Sequence, residues 1–109
     1  MHVKIWQSPN IEFMFSDSER LEKRGHSLQR LPSEEYSCVY DGPLWAFHCE
    51  DVYRALNERK KPEGYTGHSL SVGDVVEIVE NAPLQPDGTE DTPGLYFCDS
   101  IGFKPCAWA

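Results

Sequence analysis

Apolar and polar positions alternate from the first residues. In "VKIWQ", Val3, Ile5 and Gln7 alternate with Lys4 and Trp6, the period of two that a half-buried strand requires. Pro9 and Asn10 mark a turn, and "IEFMF" then sets Phe13 between Glu12 and Met14, which predicts a second strand over residues 11–15. "SDSERLEKRG" has helical punctuation instead: Asp17 or Ser18 as N-cap, Glu19 in the first turn, Lys23 and Arg24 in the last, Gly25 as the stop. "HSLQRLPSEEY" is polar and interrupted by proline, so it reads as a loop before a strand over residues 36–40 that stops at Asp41, Gly42 and Pro43.

"CEDVYRALNERKK" predicts the better helix. Val52, Tyr53 and Leu56 form its apolar stripe, Glu50 faces Arg54 at i, i+4, Lys60 and Lys61 suit its C-terminal end, and Pro62 ends it. In "VVEIVE", Val76 and Ile78 point to one face and Val75 and Val79 to the other, so this strand is expected to be buried on more than one face. "NAPLQPDGTEDTPG" is an exposed connection, too long for a tight hairpin. "LYFCDS" and "FKPCAW" follow as strands around a bend at Ile101 and Gly102. Together these elements predict one α+β domain over residues 1–109, with about four to six short, mostly antiparallel strands and two helices.

The 109 residues match the commonest size of a single domain, and three Trp, five Tyr and five Phe supply large pieces for its core. The opening residues lack the apolar run of a signal peptide and no stretch is long enough to span a bilayer, so a cytoplasmic protein without membrane contact is expected. Cys38, Cys49, Cys98 and Cys106 form no C-x-x-C pair and are expected to be reduced structural thiols. Charge is lopsided: eight acidic residues against Lys104 alone from Pro62 onward give that part minus 7 of the total minus 8. Such a field repels phosphates and anionic membranes, which argues against direct nucleic-acid binding, and attracts basic partners.

"GYTGHSLSVGDVVEIVE" carries the densest candidate chemistry. "GHSLS" lacks the second glycine of a nucleophile elbow, and a strand, not a helix, follows it. His68, Cys98 and Asp99 could act as base, nucleophile and orienter if their strands pair, but a buried cysteine is usually inert. The scattered histidines (His2, His26, His48, His68) and cysteines lack zinc-ligand spacing, and Gly64, Gly67 and Gly73 do not form a phosphate loop, so no metal or cofactor is expected. A structural reading accounts for more residues. Residues 71–74 make a turn with Gly73 at positive φ, Asp74 accepts a backbone N–H, Ser69 and Ser71 bond nearby backbone, Leu70 and Val72 face the core, and His68 locks the turn.

"YTGHSLSVGDVVEI" followed by "YFCDSIGFKPC" resembles the YodL-like domain, a small family frequent in Firmicutes and their conjugative elements. "VKIWQ", "EFMFSDSERLEKRG", "EEYSCVYDGPL" and "CEDVYRALNERKKPEGY" fall in the order such domains show, so the resemblance covers nearly the whole chain. Its motif positions here are Gly67, His68, Ser69, Ser71, Gly73 and Asp74, then Asp99, Ser100, Gly102 and Phe103. The resemblance implies no reaction and no cofactor, but it implies a mobile-element setting. We therefore expect a non-enzymatic acidic protein binder, most concretely an inhibitor of a host nucleic-acid-processing or defence nuclease (anti-CRISPR or anti-restriction type) that occupies a basic cleft as a nucleic-acid mimic. Glu80, Asp87, Glu90 and Asp91 are its candidate acidic contacts. The alternative is an accessory module that grips a cytoskeletal or conjugation protein through Trp45, Phe47 or Trp108.

Overall fold

The computed structural model describes residues 1–58, 60–80 and 91–109. Five antiparallel strands form one sheet: β1 (His2–Gln7), β2 (Ser37–Pro43), β3 (Val75–Glu80), β4 (Gly94–Cys98) and β5 (Phe103–Cys106), in the order β2-β1-β3-β4-β5. Two helices, α1 (Ser18–Lys23) and α2 (Cys49–Asn57), and a 3₁₀ turn (Ser33–Glu35) complete the described elements of this α+β fold.

The alternation in β1 sorts side chains between the two faces. Val3 and Ile5 join Val76 and Ile78 of β3 on one face, where Cys49, Val52 and Leu56 of α2 cover them together with Leu70. Val75 turns to the other face, as the strand pattern predicts, and meets Phe97, Phe13, Leu21 of α1, Leu31 and Tyr36. The sheet therefore has a core on each side, and the segments that close the second core come from residues 13–36 and the C-terminal end. Val79 reaches the surface because β3 outruns its cover.

Several sequence expectations need correction. Residues 11–15 form a turn, not a strand. The amides of Phe13 and Met14 both donate to the Asn10 carbonyl at 2.9 Å, while Asn10 Oδ1 accepts from the Glu12 amide at 3.0 Å. A short polar side chain that bonds its own backbone outcompetes ladder pairing, and Phe15 ends the turn at φ +61. β2 continues through Asp41 and Gly42 because both pair with β1, Lys4 facing Asp41 and Val3 facing Gly42. Helix α2 ends at Asn57, before Lys60 and Lys61; Tyr53 is 42 % exposed, and Arg54 leans to Asp51 at 3.5 Å, not to Glu50. The segment expected to be an unbroken loop contains the 3₁₀ turn, and β4 and β5 stop two residues earlier than predicted.

Candidate functional site

The two motif segments meet at the β3–β4 pair. Gly73 N–H donates to the Cys98 carbonyl at 2.9 Å and Cys98 N–H donates to the Asp74 carbonyl at 2.8 Å, so the histidine-serine turn and the Asp99–Phe103 turn form one unit. Gly73 occupies φ +96, and a Cβ there would overlap the Phe13 carbonyl oxygen. Only glycine fits that close backbone approach. The Tyr36 hydroxyl donates to the Gly73 carbonyl at 3.0 Å and ties the end of the 3₁₀ turn, just before β2, to the same point.

Beneath the turn lies a buried polar group. Asp74 Oδ2 accepts from Ser71 N–H at 2.8 Å and from Gln7 Nε2 at 3.0 Å, and the Gln7 amide also donates to the His68 carbonyl and accepts from the His68 amide at 3.1 Å. Tyr65 adds its hydroxyl to the His68 carbonyl at 2.6 Å. His68 Nδ1 lies 2.7 Å from the Ser69 carbonyl, which fixes Nδ1 as the protonated nitrogen, and Ser71 Oγ donates to the same carbonyl. Leu70 is buried and Val72 half-buried. Burial raises the Asp74 carboxyl to about 7, against the opposing pull of the Ser71 amide, His68 and Gln7. Gly67 is close-packed too, because a Cβ there would overlap the Gln7 amide oxygen. Gln7 carries no motif signature in the sequence, yet it centres this network.

Asp99 anchors the second turn. It accepts from the Ser18 amide at 3.0 Å, the Ser18 hydroxyl at 2.6 Å and the Ser100 amide at 2.9 Å, and pairs with Lys104 at 2.8 Å. Burial acts to raise this carboxyl, but Lys104, Ser18 and the two amides together hold it well below the usual carboxylate range. Asp99 thereby welds the β4–β5 hairpin to the start of α1. Cys98 is buried, and that burial, followed by the negative charges of Asp74 and Asp99, pushes its thiol up to about 12. Cys98 lines a cleft beside α2, whereas His68 lines another cleft beside Gln7 and Val39, and the His68 ring nitrogen Nδ1 is directed to the Ser69 carbonyl.

The surface candidates fall into three sets. Trp45 is 78 % exposed and meets Phe47 edge-on at 5.7 Å; a cleft of about 190 Å³ opens between them, Asp51 and Arg54. Trp108, expected as an exposed contact, is half-buried and packs on Trp6 at 5.6 Å and Tyr36 at 5.4 Å, because the C-terminal chain returns to bridge Leu31. Among the acids, Glu80 is exposed at the end of β3, and Asp87 and Glu90 lie outside the described residues. Asp91 is committed elsewhere: its carboxylate accepts from Cys49 N–H at 2.8 Å and its amide donates to the Phe47 carbonyl at 2.9 Å, which secures the start of α2.

Sequence reasoning missed the cleft of about 370 Å³ between α2 and the Asp99–Phe103 turn. Glu50, Tyr53, Arg54 and Glu58 line one wall, and Val72, Cys98, Ser100, Gly102 and Phe103 the other. The i, i+3 and i, i+4 spacing of Glu50, Tyr53 and Arg54 was the available signal, but Tyr53 counted as core. Among the described residues, no group of three or more His, Cys, Asp or Glu could hold a metal ion, and no helix is long and apolar enough to cross a membrane.

No curated protein and no solved structure matches the chain. The model of the YodL-like domain matches residues 2–108, essentially the full length, and the chain belongs to that family.

Proposed function

We propose that this chain is a protein-binding module that acts by occupying a surface on a host protein and performs no reaction of its own. The observation that carries the reading is Trp45, largely exposed and held edge-on against Phe47. Tryptophan is enriched among the residues that anchor interfaces, and a large ring on a fixed support buries much area for little lost side-chain freedom. The support is fixed at both ends: the Phe47 amide donates to Asp51 at 3.1 Å and the Phe47 carbonyl accepts from Asp91. The histidine-serine turn, by contrast, spends its polar groups on internal bonds, and the Cys98 thiol is held protonated.

Co-purification of the wild-type chain and of Trp45→Ala from host extract tests the reading. A partner retained by the wild type and lost by a variant with unchanged melting temperature supports it, and full retention by that variant overturns it. A second reading is favoured by the minus 7 carried from Pro62 onward: the partner is a nucleic-acid-processing or defence nuclease of a host, inhibited through its basic cleft. Neutralising Glu80, Asp87 and Glu90 to Gln or Asn would then abolish inhibition, and binding would weaken steeply with salt. Unchanged inhibition by the neutralised variant would remove the mimicry.

A further inference from the structure

We infer that the cleft between α2 and the Asp99–Phe103 turn receives an arginine side chain from a basic segment of the partner. This rests on the protein-binding reading and names the chemistry that a second contact, beside the Trp45 anchor, would recognise. Glu50 and Glu58, both exposed on the α2 wall, have no ion-pair partner among the described residues and bring two carboxylates to the cleft. The other acids nearby are already satisfied. Asp99 is neutralised by Lys104 and Asp51 by Arg54 and the Phe47 and His48 amides.

Geometry adds shape to that charge. Glu50 Oε1 lies 4.0 Å from where a Cβ would stand at Gly102, so its carboxylate reaches across to the opposite turn. Gly102 has φ +68 and adds no side chain of its own to the mouth. Tyr53 and Phe103 supply aromatic surface in the same cleft, and Val72 adds an apolar rim. A planar guanidinium with an apolar stem uses all three features: carboxylates for the charge, ring faces for cation–π contact and apolar rim for the methylenes. Phosphates would be repelled by Glu50 and Glu58, and a purely apolar side chain would strip water from both carboxylates without compensation. Arg54 also lines the cleft, but its guanidinium leans to Asp51 on the Trp45 side of the helix.

The probe is the peptide acetyl-Gly-Arg-Gly-amide, titrated at low salt into the isotope-labelled full chain, with its citrulline counterpart as the uncharged isostere. Saturable amide shifts confined to Tyr53 and Ser100–Phe103 are expected, with the citrulline peptide at least about fivefold weaker. Glu50→Gln and Glu58→Gln should each weaken the arginine peptide by about two- to fivefold, and Tyr53→Ala should do so by a similar factor while leaving the charge intact. Unchanged melting temperatures for these surface variants separate loss of contact from loss of fold. Equal binding of citrulline and arginine, shifts mapping away from the cleft, or no saturable shift would overturn the inference. A partner that depends on Trp45 together with no arginine binding sinks the cleft assignment alone, whereas no Trp45-dependent partner sinks the protein-binding reading itself.

Discussion

Replacing Asp74 with asparagine should change how stability depends on pH far more than it changes the fold. The carboxyl is almost fully buried and accepts from Gln7 and Ser71, bonds that an asparagine oxygen can keep. Burial raises it from 3.8 to about 7, a difference worth about 4 kcal/mol between folded and unfolded chains. The unfolded chain releases this proton near pH 4, whereas the folded chain holds it to about pH 7. The group's contribution is therefore complete below about pH 4 and is lost as the pH rises from about 4 to about 7. Asp99 acts in a different window: its lowered carboxyl contributes above its ordinary value and that contribution is lost as the pH falls below about 4. For a domain whose whole stability is about 5–15 kcal/mol, even half of the Asp74 effect is measurable. Urea unfolding followed by tryptophan fluorescence suits the assay, since Trp6 and Trp108 pack against each other in the second core. Wild type should lose about 2–4 kcal/mol relative to Asp74→Asn between pH 4.5 and 8. Parallel curves for the two proteins across that range would refute the reasoning.

Three further outcomes follow from the same contacts. Gly73→Ala forces a Cβ into the Phe13 carbonyl at φ +96, so a loss of at least about 2 kcal/mol is expected, and an unchanged thermal melt would contradict the close approach. Asp91→Ala removes the acceptor of the Cys49 amide at the start of α2 and should cost about 1 kcal/mol, read from the urea midpoint. Cys38 is exposed whereas burial raises the Cys98 and Cys106 thiols to about 12, so iodoacetamide at neutral pH should label Cys38 in the native protein well before those two; labelling of Cys98 at the rate of Cys38 would contradict its protection.

What the sequence revealed depends on how local each cause is. The alternation of Val3 and Ile5, and the division of Val75 from Val76 and Ile78, predict β1 and β3 because a strand sorts its neighbours by period alone. The cap at Asp17 and the stop at Gly25 were equally local, and the structure has the Asp17 side chain accepting from the Arg20 amide and Gly25 at φ +87. Residues 11–15 misled because their alternation is real but the Asn10 side chain decides the backbone first. Among site residues, the bracing role of Ser71, Gly73 and Asp74 was legible as turn chemistry. Gln7, the hub beneath them, was not, because its partners lie more than 55 residues away. Likewise Asp91 reads as one more acid in a polar stretch until α2 is seen to start against it. The α2 cleft needed residues 50–58 and 98–103 to converge, which no window of sequence contains.

Site-specific photo-crosslinking in the host cell tests the central claim most directly. A photoreactive residue placed at Trp45 should give one dominant protein adduct that excess unmodified chain competes away, and the same residue at Glu19, exposed on α1, should give none. Equal adducts from both positions, or adducts only from the α1 position, would contradict a docking surface anchored at Trp45.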